Sequence, residues 1–133
     1  MTKILIIGGT AEAKNLHFRL QEKKLFTILS YAGLTESIDK EVKNIRVGGF
    51  GGATGMSAFV KDEGITHILD ASHPFSKNIT VNSLLAAQLA KIEYLGFERP
   101  KWQRQKGDKW KLVSDMNKAI KLIDETDRVF VTI

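Results

Sequence analysis

The stretch that decides the fold is Lys3-Ile4-Leu5-Ile6-Ile7-Gly8-Gly9-Thr10-Ala11-Glu12-Ala13. A continuous apolar run ends at two glycines, and apolar residues then recur at the helical spacing of Ala13, Leu16 and Leu20. This pattern predicts a strand, a tight turn and a helix. Because the strand does not alternate between apolar and polar residues, we expect it to be buried on both faces of a parallel sheet.

The same alternation of strands and helices continues along the chain. Further strands are predicted at residues 26–30, 45–47, 67–70, 94–97 and 128–133, and helices at 54–63, 76–92 and 115–124. In the last helix we expect Met116, Ala119, Ile120 and Ile123 to face inward. The fold class is therefore α/β, a Rossmann-like parallel sheet with helices on both faces. We expect residues 1–133 to form one nucleotide-binding lobe, the amino-terminal part of a longer enzyme, because the chain ends inside an apolar strand.

Composition excludes several classes of site and of location. The 133 residues include no cysteine and only three histidines, so disulfides, thiolate nucleophiles and zinc fingers are excluded and no metal site is expected. No run approaches the ~18 apolar residues of a membrane span, and no signal peptide precedes the first strand. We expect a cytoplasmic protein without a membrane partner.

The net charge of +5 is concentrated in one segment. Six of the 20 basic residues, but only one of the 15 acids, lie between Arg99 and Lys111, so this segment accounts for the whole excess. It also carries Trp102 and Trp110. A local basic segment with aromatic side chains indicates an anionic partner.

The glycine turn after the first strand is a candidate phosphate-binding loop. It resembles the dinucleotide fingerprint G-x-G-x-x-G, with Thr10 at the position of the second glycine. Backbone amides at the helix start and the Thr10 hydroxyl are suited to hold a phosphate. The predicted cofactor-binding residues here are Gly8, Gly9, Thr10 and Ala11. The alternative is that the turn only connects a strand to a helix.

Two further loops at the same predicted sheet edge extend this site. Ser30 stands where an NAD-binding protein usually carries an acid, which favours NADP, although a hydroxyl there is also common in turns. Gly33 lies in the loop that follows, and Ser30 and Gly33 are both assigned to the cofactor. The run Gly48-Gly49-Phe50-Gly51-Gly52 can approach a ligand closely, so we assign Gly49 and Gly51 to the cofactor, with a connecting role as the alternative.

The loop Asp70-Ala71-Ser72-His73-Pro74-Phe75 contains candidate acid–base groups. Imidazole titrates near neutrality, so Asp70 and His73 are the predicted catalytic residues. Ordinary turn chemistry before a proline is the alternative. The other two histidines, His17 and His67, are interpreted as surface or structural residues.

Five segments together resemble one known family, the precorrin-6A reductases of cobalamin biosynthesis. They match in order and spacing and are Ile7–Ala13, Ser30–Gly33, Arg46–Gly52, Asp70–Phe75 and Arg99–Trp102. The resemblance implies an NADPH-dependent reduction of a macrocyclic double bond in precorrin-6A, or in its cobalt form, to give precorrin-6B. It also implies a two-lobed enzyme about twice this length.

The resemblance also implies an anionic tetrapyrrole as substrate. The residues assigned to it are Phe50, Ser72, Arg99, Lys101 and Trp102, and we expect their segments to border one cleft. The family usually has Arg after the Ala-Gly pair, where this chain has Leu34. NADPH should then be preferred only modestly over NADH, unless Arg46 or another cation substitutes.

Two other functions are weighed against this one. Another NAD(P)-dependent Rossmann oxidoreductase or epimerase would usually carry a Tyr-x-x-x-Lys pair. Four positions after Tyr31 this chain has Thr35, and four positions after Tyr94 it has Glu98, so neither tyrosine has the lysine. A nucleic-acid-binding module would use the basic segment, but no recognised RNA or DNA motif accompanies it. We therefore expect no nucleic-acid partner.

Overall fold

The computed structural model describes residues 1–33, 42–98 and 100–131, in two compact units, Met1–Arg99 and Pro100–Ile133. The strands of the first unit are β1 (Lys3–Ile7), β2 (Phe26–Tyr31), β3 (Ile45–Val47), β4 (His67–Asp70) and β5 (Glu93–Gly96). Its helices are α1 (Ala11–Glu22), α2 (Gly52–Asp62) and α3 (Lys77–Ala90). All the strands and helices predicted for this unit are present. The assignment of residues 1–133 to one lobe stays a prediction.

The five strands form one parallel sheet in the order β3-β2-β1-β4-β5. The chain proceeds outward from β1 to one edge and then returns to place β4 on the other side of β1. Sheets of this kind bind ligands beyond the carboxyl ends of their strands, at the point where the order reverses. The predicted Rossmann-like α/β fold is confirmed, and the reversal lies between β1 and β4.

Helices cover both faces of the sheet, as predicted. Along β1, Leu5 and Ile7 pack in the cluster that includes α2 and α3, whereas Ile4 and Ile6 pack in the cluster that includes α1. All four side chains are buried. A strand covered on both faces has no polar side to display, which explains the unbroken apolar run at the start of the sequence.

Helix α3 packs against α2 through small side chains. Ser83, Ala86 and Ala87 are buried, whereas the larger Leu85 and Leu89 on the same helix are exposed. Small residues allow the two helices to approach closely, and the hydroxyl of Ser83 is satisfied by the carbonyl oxygen of Thr80 at 3.0 Å. The buried face of this helix is therefore not its leucine-rich face.

The second unit corrects two predictions from the sequence. Its helix α4 spans only Met116–Ile120, and Met116, Ile120 and Ile123 are exposed and not inward-facing. The strand predicted at 128–133 is absent over 128–131, and residues 132–133 lie outside the described part of the chain. A strand needs a hydrogen-bonded neighbour and an amphipathic helix needs a core, and residues 100–131 are too few to provide them alone.

Candidate functional site

A cavity of about 250 Å³ opens at the carboxyl ends of the central strands. It is lined by loops that follow β1, β2, β3 and β4, so the position expected for a ligand in this topology contains an actual cavity. Eight of the predicted site residues line it: Gly8, Gly9, Ser30, Gly33, Gly49, Phe50, Ser72 and His73. No carboxylate is present among the described lining residues.

Four other predicted residues do not line this cavity. Thr10, Ala11 and Asp70 lie close to it in sequence but are not part of its wall. Gly51, which has a positive φ of 77° and precedes α2, lines a separate depression beside it. The predicted contacts of these four residues with a ligand stay predictions.

The two glycines after β1 are required for different reasons. The amide of Gly8 donates a hydrogen bond to the carbonyl oxygen of Ser30 at 2.8 Å, and a Cβ on Gly8 would lie 2.8 Å from that same oxygen. Gly8 therefore permits the close packing of β1 on β2. Gly9 faces open space but has a φ of +104°, which L side chains rarely adopt.

The Thr10 hydroxyl is engaged within the protein. It donates a hydrogen bond to the carbonyl oxygen of Ala71 at 2.7 Å and accepts one from the amide of Ala13 at 3.1 Å. The residue is thus the N-cap of α1, and it ties the start of this helix to the loop after β4. With its single hydrogen donated to a carbonyl, Thr10 positions the glycine turn and has no second hydrogen for a phosphate.

Arg46 organises the glycine loop after β3. Its guanidinium donates hydrogen bonds to the carbonyl oxygens of Gly48 and, at 2.9 Å, Gly49, and it stacks 3.7 Å from the ring centroid of Phe50. One guanidinium nitrogen also lies 3.4 Å from Oγ of Ser30. Partial burial lowers the pKa of Arg46, but a guanidinium remains charged at neutral pH.

Gly55 was not among the predicted site residues, yet its lack of a side chain allows the same loop to lie against α2. A Cβ at this position, in the first turns of α2, would overlap the carbonyl oxygen of Phe50. Glycine inside a helix costs about 1 kcal/mol relative to alanine, so a glycine there indicates a packing or functional reason. That signal was available in the sequence.

Asp70 is held by two hydrogen bonds at the end of β4. Its Oδ1 accepts from the amide of Ser72 at 3.0 Å and its Oδ2 accepts from the hydroxyl of Tyr94 at 3.0 Å. The side chain is buried, with 5% exposed. Burial, followed by the negative charge of Asp70, raises the pKa of Tyr94 to about 12. Both carboxylate oxygens therefore serve to hold the loop that carries Ser72 and His73.

His73 lies half-buried in the wall of the cavity. Its Nδ1 accepts a hydrogen bond from the amide of Phe75 at 3.2 Å, so the hydrogen of the neutral ring is on Nε2. The two aromatic rings of His73 and Phe75 are 5.1 Å apart. The imidazole is thus oriented by its own loop and keeps one nitrogen that can donate.

The other histidines have structural positions. His17 is fully buried on α1, where its Nε2 donates to the carbonyl oxygen of Lys43 at 3.0 Å and its Nδ1 accepts from the Thr27 hydroxyl at 2.9 Å. Burial lowers the pKa of His17. It is therefore a structural residue and not a surface one. No cluster of three potential metal ligands is found within residues 1–33, 42–98 and 100–131.

Two of the predicted substrate residues of the basic segment, Lys101 and Trp102, belong to the second unit. Lys101 and Trp102 are exposed, Trp102 to 90%. Arg99 lies outside the described residues, and so does Leu34, the position at which the family usually has Arg. None of the helices in the described ranges is long and apolar enough to span a bilayer.

Comparison with known proteins decides the family. The family described as Precorrin-6x reductase CbiJ/CobK matches residues 3–133. The chain belongs to this family. The sequence is 40% identical over 133 residues to a precorrin-6A reductase of Sinorhizobium sp, and 35% identical over 134 residues to the precorrin-6A reductase of Rhodobacter capsulatus. These matches cover 98% and 100% of this chain.

A solved precorrin-6A reductase structure, CobK, is similar to the chain with a TM-score of 0.87 and 34% identity. The match covers 95% of this chain and 50% of that one. The chain likewise covers 51% and 53% of the Sinorhizobium and Rhodobacter relatives. It therefore spans about half the length of the precorrin-6x reductase family members that it matches.

Proposed function

We propose that this chain is the nucleotide-binding lobe of a cytoplasmic enzyme that reduces precorrin-6A, or its cobalt form, to precorrin-6B with NADPH. The observation that carries the proposal is the glycine-lined cavity at the sheet reversal, in a chain whose named relatives are precorrin-6A reductases. Family membership favours this reductase function over an epimerase or a nucleic-acid-binding module.

The cavity fits a nicotinamide dinucleotide in two respects. Side-chain-free backbone at Gly9 and Gly49, which both face open space, leaves room for a pyrophosphate and ribose to approach the strand ends. No described lining residue is a carboxylate, so nothing there repels a 2′-phosphate. A bound nicotinamide would supply the hydride for the reduction.

Reduction of a double bond also requires a proton on the second carbon. His73 is the group we propose to donate it, in its protonated imidazolium form, because it lines the cavity and its Nδ1 faces the amide of Phe75, which leaves Nε2 for the substrate. Asp70 enters the proposal as a positioning residue, because both its carboxylate oxygens are hydrogen-bonded within the loop. Phe50 and Ser72 are proposed to contact the substrate.

The substrate is proposed to be an anionic tetrapyrrole. Its carboxylates suit the cations Arg99 and Lys101, and its conjugated ring suits the exposed face of Trp102. No nucleic-acid or membrane partner is proposed.

Anaerobic incubation of the full-length protein with precorrin-6A and either NADPH or NADH tests the function. We expect formation of precorrin-6B together with oxidation of one equivalent of NADPH, measured by loss of absorbance at the reduced-nicotinamide band. A protein that binds NADPH but leaves precorrin-6A unchanged would contradict the proposed substrate. A protein that binds neither nicotinamide would contradict the proposed cofactor.

A further inference from the structure

Two hydrogen bonds in sequence connect β5 to the loop that carries His73, and they begin at Tyr94, which does not line the cavity. The Tyr94 hydroxyl donates to Oδ2 of Asp70, and Oδ1 of the same carboxylate accepts from the amide of Ser72, both at 3.0 Å. A bond from an aspartate side chain to the amide two residues later is an Asx turn. It directs the chain out of β4, so the orientation of this carboxylate determines where the loop begins.

The residue before Ser72 is held by contacts that do not involve Tyr94. The amide of Ala71 donates to the last residue of β1 at 3.2 Å, and its carbonyl oxygen accepts from the N-cap of α1 at 2.7 Å. The amide of Ser72, in contrast, donates to the Asp70 carboxylate. Because His73 follows Ser72 directly, the position of its imidazole depends on the bond that Tyr94 supports.

The phenol of Tyr94 is a permanent donor to this carboxylate. Burial, followed by the negative charge of Asp70, raises the pKa of Tyr94 to about 12, so the hydroxyl keeps its hydrogen at neutral pH. Asp70 is only 5% exposed, so water is a poor substitute for the phenol. A buried acceptor without its donor is costly, and rotation toward other donors lowers that cost. Without the Tyr94 hydroxyl, the carboxylate is therefore free to turn away from the amide of Ser72.

We propose that Tyr94 is a positioning residue for the reduction, which acts through Asp70 and the amide of Ser72 to hold the His73 imidazole where Nε2 reaches the substrate. The inference rests on the proposed function, in which His73 donates the proton, and it adds a residue that touches neither cofactor nor substrate. Proton transfer requires a donor within hydrogen-bond reach, and a displacement of about 1 Å is enough to lower a rate by about 10²-fold. A displaced His73 lowers kcat, whereas the glycine loops after β1 and β3 stay in place for NADPH.

The test compares Tyr94→Phe, which removes only the hydroxyl, with the matched control Thr27→Val. Thr27 is fully buried on β2, and its hydroxyl lies 2.9 Å from Nδ1 of His17 on α1, so both variants lose one buried hydrogen bond of a hydroxyl. In the full-length enzyme, Tyr94→Phe should lower kcat for precorrin-6A by about tenfold, with calorimetric NADPH affinity within about twofold of wild type. Thr27→Val should keep the wild-type kcat. Circular dichroism should show the wild-type fold in both variants.

A double variant separates positioning of His73 from any other effect on the enzyme. In a His73→Ala background the group that Tyr94 positions is gone, so adding Tyr94→Phe should leave kcat unchanged. Amide hydrogen exchange gives a readout that does not require activity. Exchange of residues 71–76 should be faster in Tyr94→Phe than in wild type, and unchanged in Thr27→Val.

Each contrary outcome overturns a defined statement. Wild-type kcat in Tyr94→Phe, or an equal loss in Thr27→Val, would overturn the inference while leaving the proposed reductase function standing. A loss of the same size with and without His73 would show that Tyr94 does not act through that residue, and would overturn the inference as well. A full-length protein that leaves precorrin-6A unchanged would overturn the proposed function, and unchanged loop exchange in Tyr94→Phe would overturn the link from Tyr94 to the loop.

Discussion

The hydroxyl of Tyr94 on β5 donates a hydrogen bond of 3.0 Å to Oδ2 of Asp70 on the neighbouring strand β4. The other carboxylate oxygen accepts from the amide of Ser72, so the aspartate connects the edge strand to the loop that carries His73. The buried carboxylate of Asp70 is not part of the cavity wall, and both of these hydrogen bonds join it to other groups of the protein.

Loss of the Tyr94 hydroxyl should destabilise the first unit. Tyr94→Phe leaves Oδ2 of a buried carboxylate without its donor, so the free energy of unfolding in urea should fall by about 1–3 kcal/mol. A double-mutant cycle that combines Tyr94→Phe with Asp70→Asn measures the interaction energy between the two side chains. Losses of unfolding free energy that simply add would contradict an interaction between them. Asp70→Asn should also lower the pKa of Tyr94 from about 12, because the negative charge that disfavours the phenolate is removed, as measured by ultraviolet titration.

Stability should fall as the pH decreases below about 6.5, through His17. Burial lowers the pKa of His17 in the folded state below the ordinary value of 6.5. The unfolded chain then binds a proton that the folded chain does not, so the free energy of unfolding rises with pH in this window, by at most about 1.4 kcal/mol per pH unit. His17→Gln should flatten the dependence measured by urea unfolding, and His67→Gln is the matched control for removal of a histidine. If the free energy of unfolding of His17→Gln depends on pH as strongly as that of the wild type, a group other than His17 causes the dependence.

Gly9→Val should abolish NADPH binding in calorimetry. Its φ of +104° is strained for a β-branched residue, and the new side chain would enter the open space beside the cavity. Gly64→Ala serves as the control, because Gly64 also has a positive φ but lies in the turn after α2. A folded Gly9→Val chain with unchanged affinity would exclude the glycine turn as the pyrophosphate site.

His73→Ala should lower kcat for precorrin-6A reduction by a factor of about 10²–10⁴, the usual contribution of a positioned general acid. NADPH affinity should stay unchanged, which separates proton donation from cofactor binding. Normal kcat across pH in a folded variant would return His73 to a structural role and leave solvent or a substrate carboxyl as the proton source.

Trp102→Ala and Lys101→Ala in the full-length enzyme should raise the KM for precorrin-6A while leaving the KM for NADPH unchanged. Each removes a contact proposed for the substrate, stacking in one case and a carboxylate partner in the other. Lys121→Ala, another lysine of the second unit, is the control for loss of positive charge. Equal KM values for all three variants and wild type would exclude the basic segment from substrate binding.

The sequence was most informative where structure is local. The apolar run of β1 and the glycines at strand ends predicted both the parallel sheet and the edge at which the cavity lies. Arg46, Gly55 and Tyr94 act through contacts made only on folding: Tyr94 meets a carboxylate 24 residues away, and Gly55 meets the carbonyl of Phe50. The second unit was predicted poorly because periodicity shows which residues share a face but not whether a core exists for that face.

The anchoring of the Gly48–Gly52 loop has a consequence for the thermodynamics of association. Four glycines in five residues would normally lose much conformational entropy when a ligand orders them. Here Arg46 fixes two of the peptides and Gly55 lets the carbonyl of Phe50 lie against α2 before any ligand arrives. The ordering cost is thus incurred during folding, so more of the interaction energy with a nucleotide is expressed as affinity.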